Sequence, residues 1–313
     1  MLAAMLGLLN AGLVRGAAPS PNDVLAPTAD TTANNVPLAQ EFDAETSYDG
    51  GSEMKQGNLR FGSVGNINSH VNYVVSPQLK EGLLLRVGFD AERNSFELPA
   101  RAVLPNTLQS VNAVIGADIA VNDQILVRAE AHPGIYSDFV NVSGSDFDVP
   151  VQIGGTYLWS DDFQIIAGLQ IDLKSNLPII GAPGFRWKFA DKWVISAIPP
   201  RPQLQFELTN SVTLYVGAEI LGGTYHLNNN FGSNHGNPPL NNNICDFNED
   251  RVGTGVTWKF TPNLSLDVSG GYVAYREFNM HPDHIGFDVS GTEFHNNIGD
   301  GAPYGEIGIR GSF

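Results

Sequence analysis

The sequence predicts an all-β chain: a single antiparallel transmembrane β-barrel of about fourteen strands, with short periplasmic turns and long extracellular loops. Three observations predict it. From about residue 80 onward, an alternating apolar/polar run ends in a tight polar turn and a second alternating run follows at once. Phe260–Gly270, Leu208–Gly217, Trp159–Phe163 and Phe189–Trp193 are copies of that turn. Strict period two marks strands with one apolar and one polar face. Short and long connections alternate along the chain, as they do in a membrane barrel. Finally, the longest apolar run, Met1 to Val14, is broken by Asn10 and is too short to cross a bilayer as a helix. Strands closed on themselves are the remaining way to satisfy a backbone in lipid.

Taken in order, Met1 to about Ala18 reads as a secretory signal. It has a Leu/Ala/Met-rich core followed by the small residues Gly16, Ala17 and Ala18, although Arg15 follows the core instead of preceding it. A short buried helix is the alternative. Residues 19–40, rich in Pro, Ala, Thr and Asn, read as a flexible periplasmic linker, and the barrel occupies 41–313. Candidate strands are 42–49, 57–75, 82–92, 107–120, 124–136, 147–159, 163–174, 182–189, 193–198, 203–209, 212–226, 250–260, 264–278 and 302–313. Short turns are expected near Pro77, Asn122, Asp161, Asp191, Asn210 and Pro262, and long polar connections at 93–106, 137–146, 226–249 and 279–301. An even count puts both termini in the periplasm. Twelve strands is the alternative, because 42–49 is short and Ile198-Pro199-Pro200-Arg201-Pro202 cannot sit in a central ladder. That segment reads as a tight extracellular connection.

The strand faces separate cleanly. Leu264, Leu266 and Val268 alternate with Ser265, Asp267 and Ser269, and Phe163, Ile165, Ala167, Leu169 and Ile171 with Gln164, Ile166, Gly168, Gln170 and Asp172. The polar face carries glycines among its charges (Gly217, Gly253 and Gly255 are examples), which suits a curved interior better than a solvated sheet. Trp159, Phe163, Phe189, Trp193 and Phe260 sit beside the turns, where an interfacial girdle is expected. A soluble secreted barrel or sandwich is the competing fold. The lumen-facing set is Arg86, Asp90, Asp118, Arg128, Glu130, Asp172, Arg186, Lys188, Glu207, Glu219, Arg251, Lys259, Asp267, Glu306 and Arg310. Turned toward mid-bilayer lipid, an Arg or Lys costs about 2–4 kcal/mol, so these charges belong inside. Two readings stay open: a salt-bridge network that plugs the bore, or a path for ions and small solutes.

Composition excludes several classes. A net charge of −16 leaves no basic stripe for nucleic acid. The lone Cys245 cannot form an internal disulfide. No phosphate-binding glycine loop, HExxH or GxSxG elbow occurs, so neither a cofactor nor catalysis is expected. A hydrolase would need a serine beside His132, the histidine well inside an expected strand. His281, Asp283 and His284, with His235, Cys245 and His295, offer metal-ligand chemistry but fall in Asn/Gly-rich loops that fix no spacing, so solvated loop residues are the expectation.

The last strand, Pro303 to Phe313, resembles the C-terminal signal of bacterial outer-membrane proteins: a terminal aromatic preceded by alternating apolar residues. Phe313, Ile309 and Ile307 match, whereas Gly311 stands where a bulkier residue is usual. The resemblance implies recognition by the barrel-assembly machinery. Ile198–Leu208 together with Val216–Tyr225 resembles an uncharacterised family of outer-membrane barrels, known as a domain of unknown function. That resemblance implies fold and outer-membrane location, over roughly 41–313, and assigns no ligand. The expected partners are outer-membrane lipid and lipopolysaccharide, with the oligomeric state open. The expected function is a narrow, porin-like channel for ions or small solutes. The alternatives are a closed structural or surface-interaction barrel presenting loops 226–249 and 279–301, or, less readily, an outer-membrane hydrolase.

Overall fold

A computed structural model describes residues 38–100, 102–283, 291–296 and 300–313. The expected signal segment, and the linker up to residue 37, lie outside the described residues. Leu38–Gln40 already belong to the first strand.

Fourteen strands close into one antiparallel barrel. They are β1 (Leu38–Gln56), β2 (Leu59–Lys80), β3 (Leu83–Glu97), β4 (Thr107–Asn122), β5 (Ile125–Ala131), β6 (Val151–Ser160) and β7 (Phe163–Ile171), followed by β8 (Ile179–Ala190), β9 (Trp193–Ser196), β10 (Gln203–Glu207), β11 (Val212–His226), β12 (Asn243–Thr261), β13 (Leu264–Pro282) and β14 (Ala302–Ser312). Each pairs with the next, and β14 closes on β1 in a register running from Glu41↔Ser312 to Asp49↔Tyr304. The turns at the end where β1 begins and β14 finishes are short because their side chains cap them. Asn122 Oδ1 accepts from the backbone N–H of Gln124 and Ile125, Thr209 Oγ1 from Ser211 and Val212, and Ser160 Oγ from Phe163. These are the turn geometries that Asn, Ser and Thr favour.

The opposite end departs from a plain cylinder. β5 to β10 stop low, while β1 to β4 and β11 to β13 run on. The short strand Gly134–Ser137 bridges β4 to β11, and Thr292–His295 bridges β13 to β1. The upper part is therefore a narrower closed ring of nine: β1, β2, β3, β4, Gly134–Ser137, β11, β12, β13 and Thr292–His295. Along β12 the side-chain chemistry inverts where this ring begins. Below, Val252, Val256, Trp258 and Phe260 point out, and Arg251 and Thr257 point in. Above, Cys245 and Phe247 point in and are fully buried, while Asp246 lies on the other face. An apolar outside with a polar bore suits lipid, whereas Asp246, buried on the outer face among Thr224, Asn176 and His281, does not, so the inversion marks where the barrel leaves the hydrocarbon zone.

Several expectations about elements are corrected. The chain does not turn at Pro77. β2 continues to Lys80, and Pro77 is tolerated opposite Leu38, the first residue of β1, where the ladder ends. The strand expected at 42–49 is 19 residues long and joins β2 through a tight turn at Gly57–Asn58, so this outer connection is short. Gly57 carries φ +55°, a left-handed conformation that glycine adopts without strain. The expected strand 124–136 is broken at His132–Pro133, where Gly134–Ser137 stays paired with β4 but parts from β6 and reaches β11.

The exterior belt gives a direct test. Val268 is 45% exposed midway along the apolar face of β13. Val268→Arg is expected to cost about 2–4 kcal/mol in lipid, read as a lower denaturation midpoint in vesicles. The same substitution at Ser265, on the inward face between Lys259 and Arg310, is expected to cost less, about 0.2–1 kcal/mol from the like charges opposite.

Candidate functional site

The inward faces of the lower barrel carry a connected set of ion pairs that spans the bore. Arg86 on β3 reaches both carboxylate oxygens of Glu41 on β1, at 3.1 and 2.8 Å, and also donates to Glu130 on β5. These strands are not all neighbours, so the contacts cross the interior. Arg128 forks onto Asp118 at 2.6 and 2.8 Å. At the turn end, Lys188 meets Glu207 at 3.0 Å, with Arg186 next along the same face. Midway, Arg310 holds Asp43 at 2.7 Å. Arg201 binds both oxygens of Glu45 at 2.8 Å, donates to Glu219 and lies 3.6 Å from Glu306. Higher still, Arg251 and Arg276 are fully buried and share Glu249 and Asp49. Arg251 also reaches Glu306 at 3.1 Å and lies 5.0 Å from the Tyr304 ring centre. On the β2–β3 wall, His70 Nε2 sits 2.6 Å from Asp90, and Asn68 donates to Glu92 at 2.7 Å. Asp267 accepts from Tyr215 and Thr257.

Lysine 259 lies on the face of β12 that also carries Arg251 and Thr257, near the turn. Asp172 is buried in the β7–β8 connection, on the same side as Gln170, and accepts the Lys174 N–H at 3.0 Å. Burial beside Asp148 pushes its carboxyl well above the usual range.

Sequence reading missed part of this cluster. Glu41, Asp43, Glu45 and Asp49 carry a period-two signal on β1; the expected strand 42–49 leaves only Glu41 outside, but none of the four is among the expected bore residues. Arg201 was masked by its prolines, yet the N–H groups of Ala218 and Ile220 donate to the carbonyls of Pro202 and Pro200, so this segment extends the β10–β11 pairing. Arg276 points inward because β13 has an extra residue between Val273 and Tyr275, which shifts the alternation by one.

Above the charged bore, the nine-strand ring is filled by apolar side chains. Phe96, Phe247 and Phe278 meet with ring centres 4.9–5.2 Å apart, and Leu104, Leu227 and Leu240 cover them from the outer connections. This cluster closes the outer end.

The remaining candidates separate. Cys245 is buried inside the ring, and burial pushes its thiol up, away from the thiolate a metal needs. His281 lies on the opposite face, bonded to Asp246, while His235 binds the Phe231 carbonyl and His295 pairs with Glu293. His284 lies outside the described residues. Among the described residues, Cys245, His235, His281 and His295 do not converge. Asp43, Glu45 and His70 do lie together, but Arg310 and Arg201 already hold the two carboxylates. His132 is buried beside Asn112 and Glu130, and neither is the serine a hydrolase would place there. Ile307 and the terminal Phe313 are both exposed, and the Phe313 backbone pairs with Gln40. The Phe313 ring comes within 2.9 Å of where a Gly311 side chain would start, which accounts for glycine at that place.

On the wet side of the inversion, Glu277 is pushed up to about 7 by burial and by Glu293. Its ordinary value is 4.5, so between these limits the folded state holds a proton the unfolded state has released. Stability from this group is therefore lost as pH rises from about 4.5 to 7. The outer end of β13 is expected to exchange amide hydrogens more slowly at pH 5 than at pH 8, after correction for intrinsic rates, and Glu277→Gln is expected to remove that difference.

An antiparallel barrel with an apolar exterior belt, a charged bore and short turns at the end where β1 begins and β14 finishes defines an all-β transmembrane barrel. Residues 94–310 match the family described as a domain of unknown function (DUF6268), and the chain belongs to that family. None of the curated proteins matches it significantly. Among solved structures it is similar to an outer-membrane channel of Pseudomonas putida F1, at 10% identity, 92% of this chain, 100% of the other and a TM-score of 0.48. It is also similar to the Pseudomonas putida toluene transporter TodX (9%, 89% and 90%, 0.38) and to a Pseudomonas aeruginosa FadL homologue (9%, 88% and 90%, 0.33).

Proposed function

We propose that this protein is an integral barrel of a bacterial outer membrane that conducts small cations through a narrow bore, closed at its outer end at rest. The observation that carries the proposal is an acid surplus among the described inward-facing residues. Thirteen carboxylates (Glu41, Asp43, Glu45, Asp49, Asp90, Glu92, Asp118, Glu130, Glu207, Glu219, Glu249, Asp267 and Glu306) face nine arginines and lysines (Arg86, Arg128, Arg186, Lys188, Arg201, Arg251, Lys259, Arg276 and Arg310), a difference of four when His70 and His132 are neutral and of two when both are charged. A purely structural network gains nothing from surplus like charge, which repels itself away from bulk water. Mobile cations drawn into the bore offset it, and such a field concentrates counter-ions.

In this reading lipid and lipopolysaccharide surround the belt, and the barrel-assembly machinery takes the strand carrying Ile307, Ile309 and Phe313. The apolar Phe96–Phe247–Phe278 cluster favours a second reading, a sealed barrel without transport. Purified protein in planar bilayers distinguishes them. Conductance steps whose reversal potential in a KCl gradient lies toward potassium support the channel. Arg201→Ala, which removes a positive charge facing Glu45, Glu219 and Glu306, is expected to move that potential further the same way. A silent bilayer at every voltage and salt tested supports the sealed barrel.

A further inference from the structure

The outward face of β1–β4 carries a polar row on an apolar wall. Thr46 on β1 stands opposite Ser69 on β2, Ser69 opposite Arg93 on β3, and Arg93 opposite Gln109 on β4. Along β3, Arg86, Asp90, Glu92 and Asn94 turn into the barrel, while Val87, Phe89 and Arg93 are exposed on the outside. The two rows next toward the short turns are apolar: Ala44, Val71, Ala91 and Val111, then Phe42, Tyr73, Phe89 and Ala113. Every side chain of the polar row can donate a hydrogen bond, and none is acidic.

The height of the row follows from strand geometry. Arg93 lies ten residues beyond Leu83, where β3 leaves its short turn. At about 3.3 Å per residue and about 40° of tilt, that is about 25 Å along the membrane normal, the height of an apolar belt. The chemistry of β12 inverts at Asp250–Arg251, which is likewise ten residues from the last residue of that strand, Thr261. Arg93 therefore stands at the outer edge of the hydrocarbon zone, level with lipid headgroups.

This arginine lacks the partner that the others have. Arg86, Arg128, Arg201, Arg251, Arg276 and Arg310 each hold a carboxylate. Arg93 donates from Nε to Ser95 Oγ at 3.1 Å and, among the described residues, pairs with no acid. The next acid on its face of β3, Glu97, is four residues further out. The chain has 33 acidic residues against 17 basic ones, so acids are not scarce. A guanidinium exposed at headgroup level, among neutral donors and above an apolar field, is complementary to an anionic lipid.

We propose that Arg93 binds a phosphate of an outer-leaflet glycolipid, lipopolysaccharide, with Ser69, Ser95 and Gln109 donating beside it and the acyl chains lying on Val71, Phe89 and Val111. A free phosphate meets the same guanidinium but gains nothing from the apolar rows, so the wall fits a lipid. The inference rests on the outer-membrane reading and not on conduction.

The experiment titrates the folded protein in detergent with lipid A bearing both phosphates, with the same lipid stripped of them, and with sodium phosphate, and follows binding by native mass spectrometry. Lipid A is expected to bind saturably to the parent and roughly tenfold more weakly to Arg93→Gln, the loss of a charge-assisted pair. Stripped lipid is expected to bind the parent as weakly as lipid A binds the variant. Lys80→Gln, which removes an exposed charge from the short-turn end of the same wall, is expected to bind like the parent. The stripped-lipid arm uses the parent alone, so it decides the matter even where a variant loses the heat-resistant migration of a folded barrel. The inference is overturned if stripped lipid binds as tightly as lipid A, if Arg93→Gln binds like the parent, if Lys80→Gln weakens binding as much, or if sodium phosphate binds and lipid A does not. A parent that fractionates with the outer membrane yet ignores lipid A sinks this inference alone, and recovery in the soluble fraction sinks the outer-membrane reading.

Discussion

Arg251→Ala is expected to destabilise the barrel by roughly 3–5 kcal/mol, the cost of removing one partner from a buried ion-pair network. Arg251 is fully buried, and its guanidinium is shared among Asp49, Glu249, Glu219 and Glu306, with a further bond to Ser47 at 2.9 Å. Without it, Arg276 alone faces Asp49 and Glu249. The loss also unties β1, β12 and β14, whose inward faces this side chain joins across the bore. Urea denaturation in vesicles, followed by tryptophan emission, reads the effect as a lower midpoint. Arg60→Ala serves as the contrast. Arg60 forms an exposed pair with Glu53 at 3.1 Å, and such pairs contribute about 0–1 kcal/mol. Equal losses at the two sites would mean that the buried network does not hold the bore together.

The second large effect is expected at the outer seal. Phe278 is fully buried, with its ring centre 4.9 Å from Phe96 and 5.1 Å from Phe247. Phe278→Ala removes a ring that bridges the two, at about 3–5 kcal/mol for a buried phenylalanine. The more telling variant is Phe278→Asp, because an apolar void stays dry whereas a carboxylate brings water with it. A wetted seal joins the charged bore to the outside. Open time and conductance in planar bilayers are expected to rise several-fold over the parent, with cation preference retained because the charges below are untouched. The lower fourteen-strand belt does not depend on Phe278, so heat-resistant migration should persist. A folded Phe278→Asp barrel no more conductive than the parent would show that the Phe cluster is not the barrier.

Much of the fold was legible along the chain, and the elements show why. In β11 and β13 a lipid-facing side chain and a bore-facing one alternate without interruption through the membrane zone, so period two located them. The turns at Asn122 and Asn210 declared themselves through residues whose side chains satisfy the turn's own N–H groups. β12 was read seven residues short because its upper part has the opposite chemistry on each face: Asp246 outside, Cys245 and Phe247 inside. β1 was read short for a related reason, since its outer half builds the narrow ring. Arg201 was hidden because proline argues against a ladder, although Pro200 and Pro202 contribute carbonyls to one.

The sequence by itself determined that strands would form, where most of them lie, which face of each meets lipid and that many charges must turn inward. These properties are local, set by the two-residue repeat of an extended chain and by the cost of charge in hydrocarbon. Only the tertiary structure decided which charges meet. Arg201 and Glu45 are far apart in sequence, and so are Arg251 and Asp49. They become partners because closure of β14 on β1 sets the stagger that brings them to one level. The narrowing to nine strands, and with it the apolar seal, was likewise decided by closure: β4 and β11 are joined by Gly134–Ser137, a pairing that no repeat within a single strand encodes.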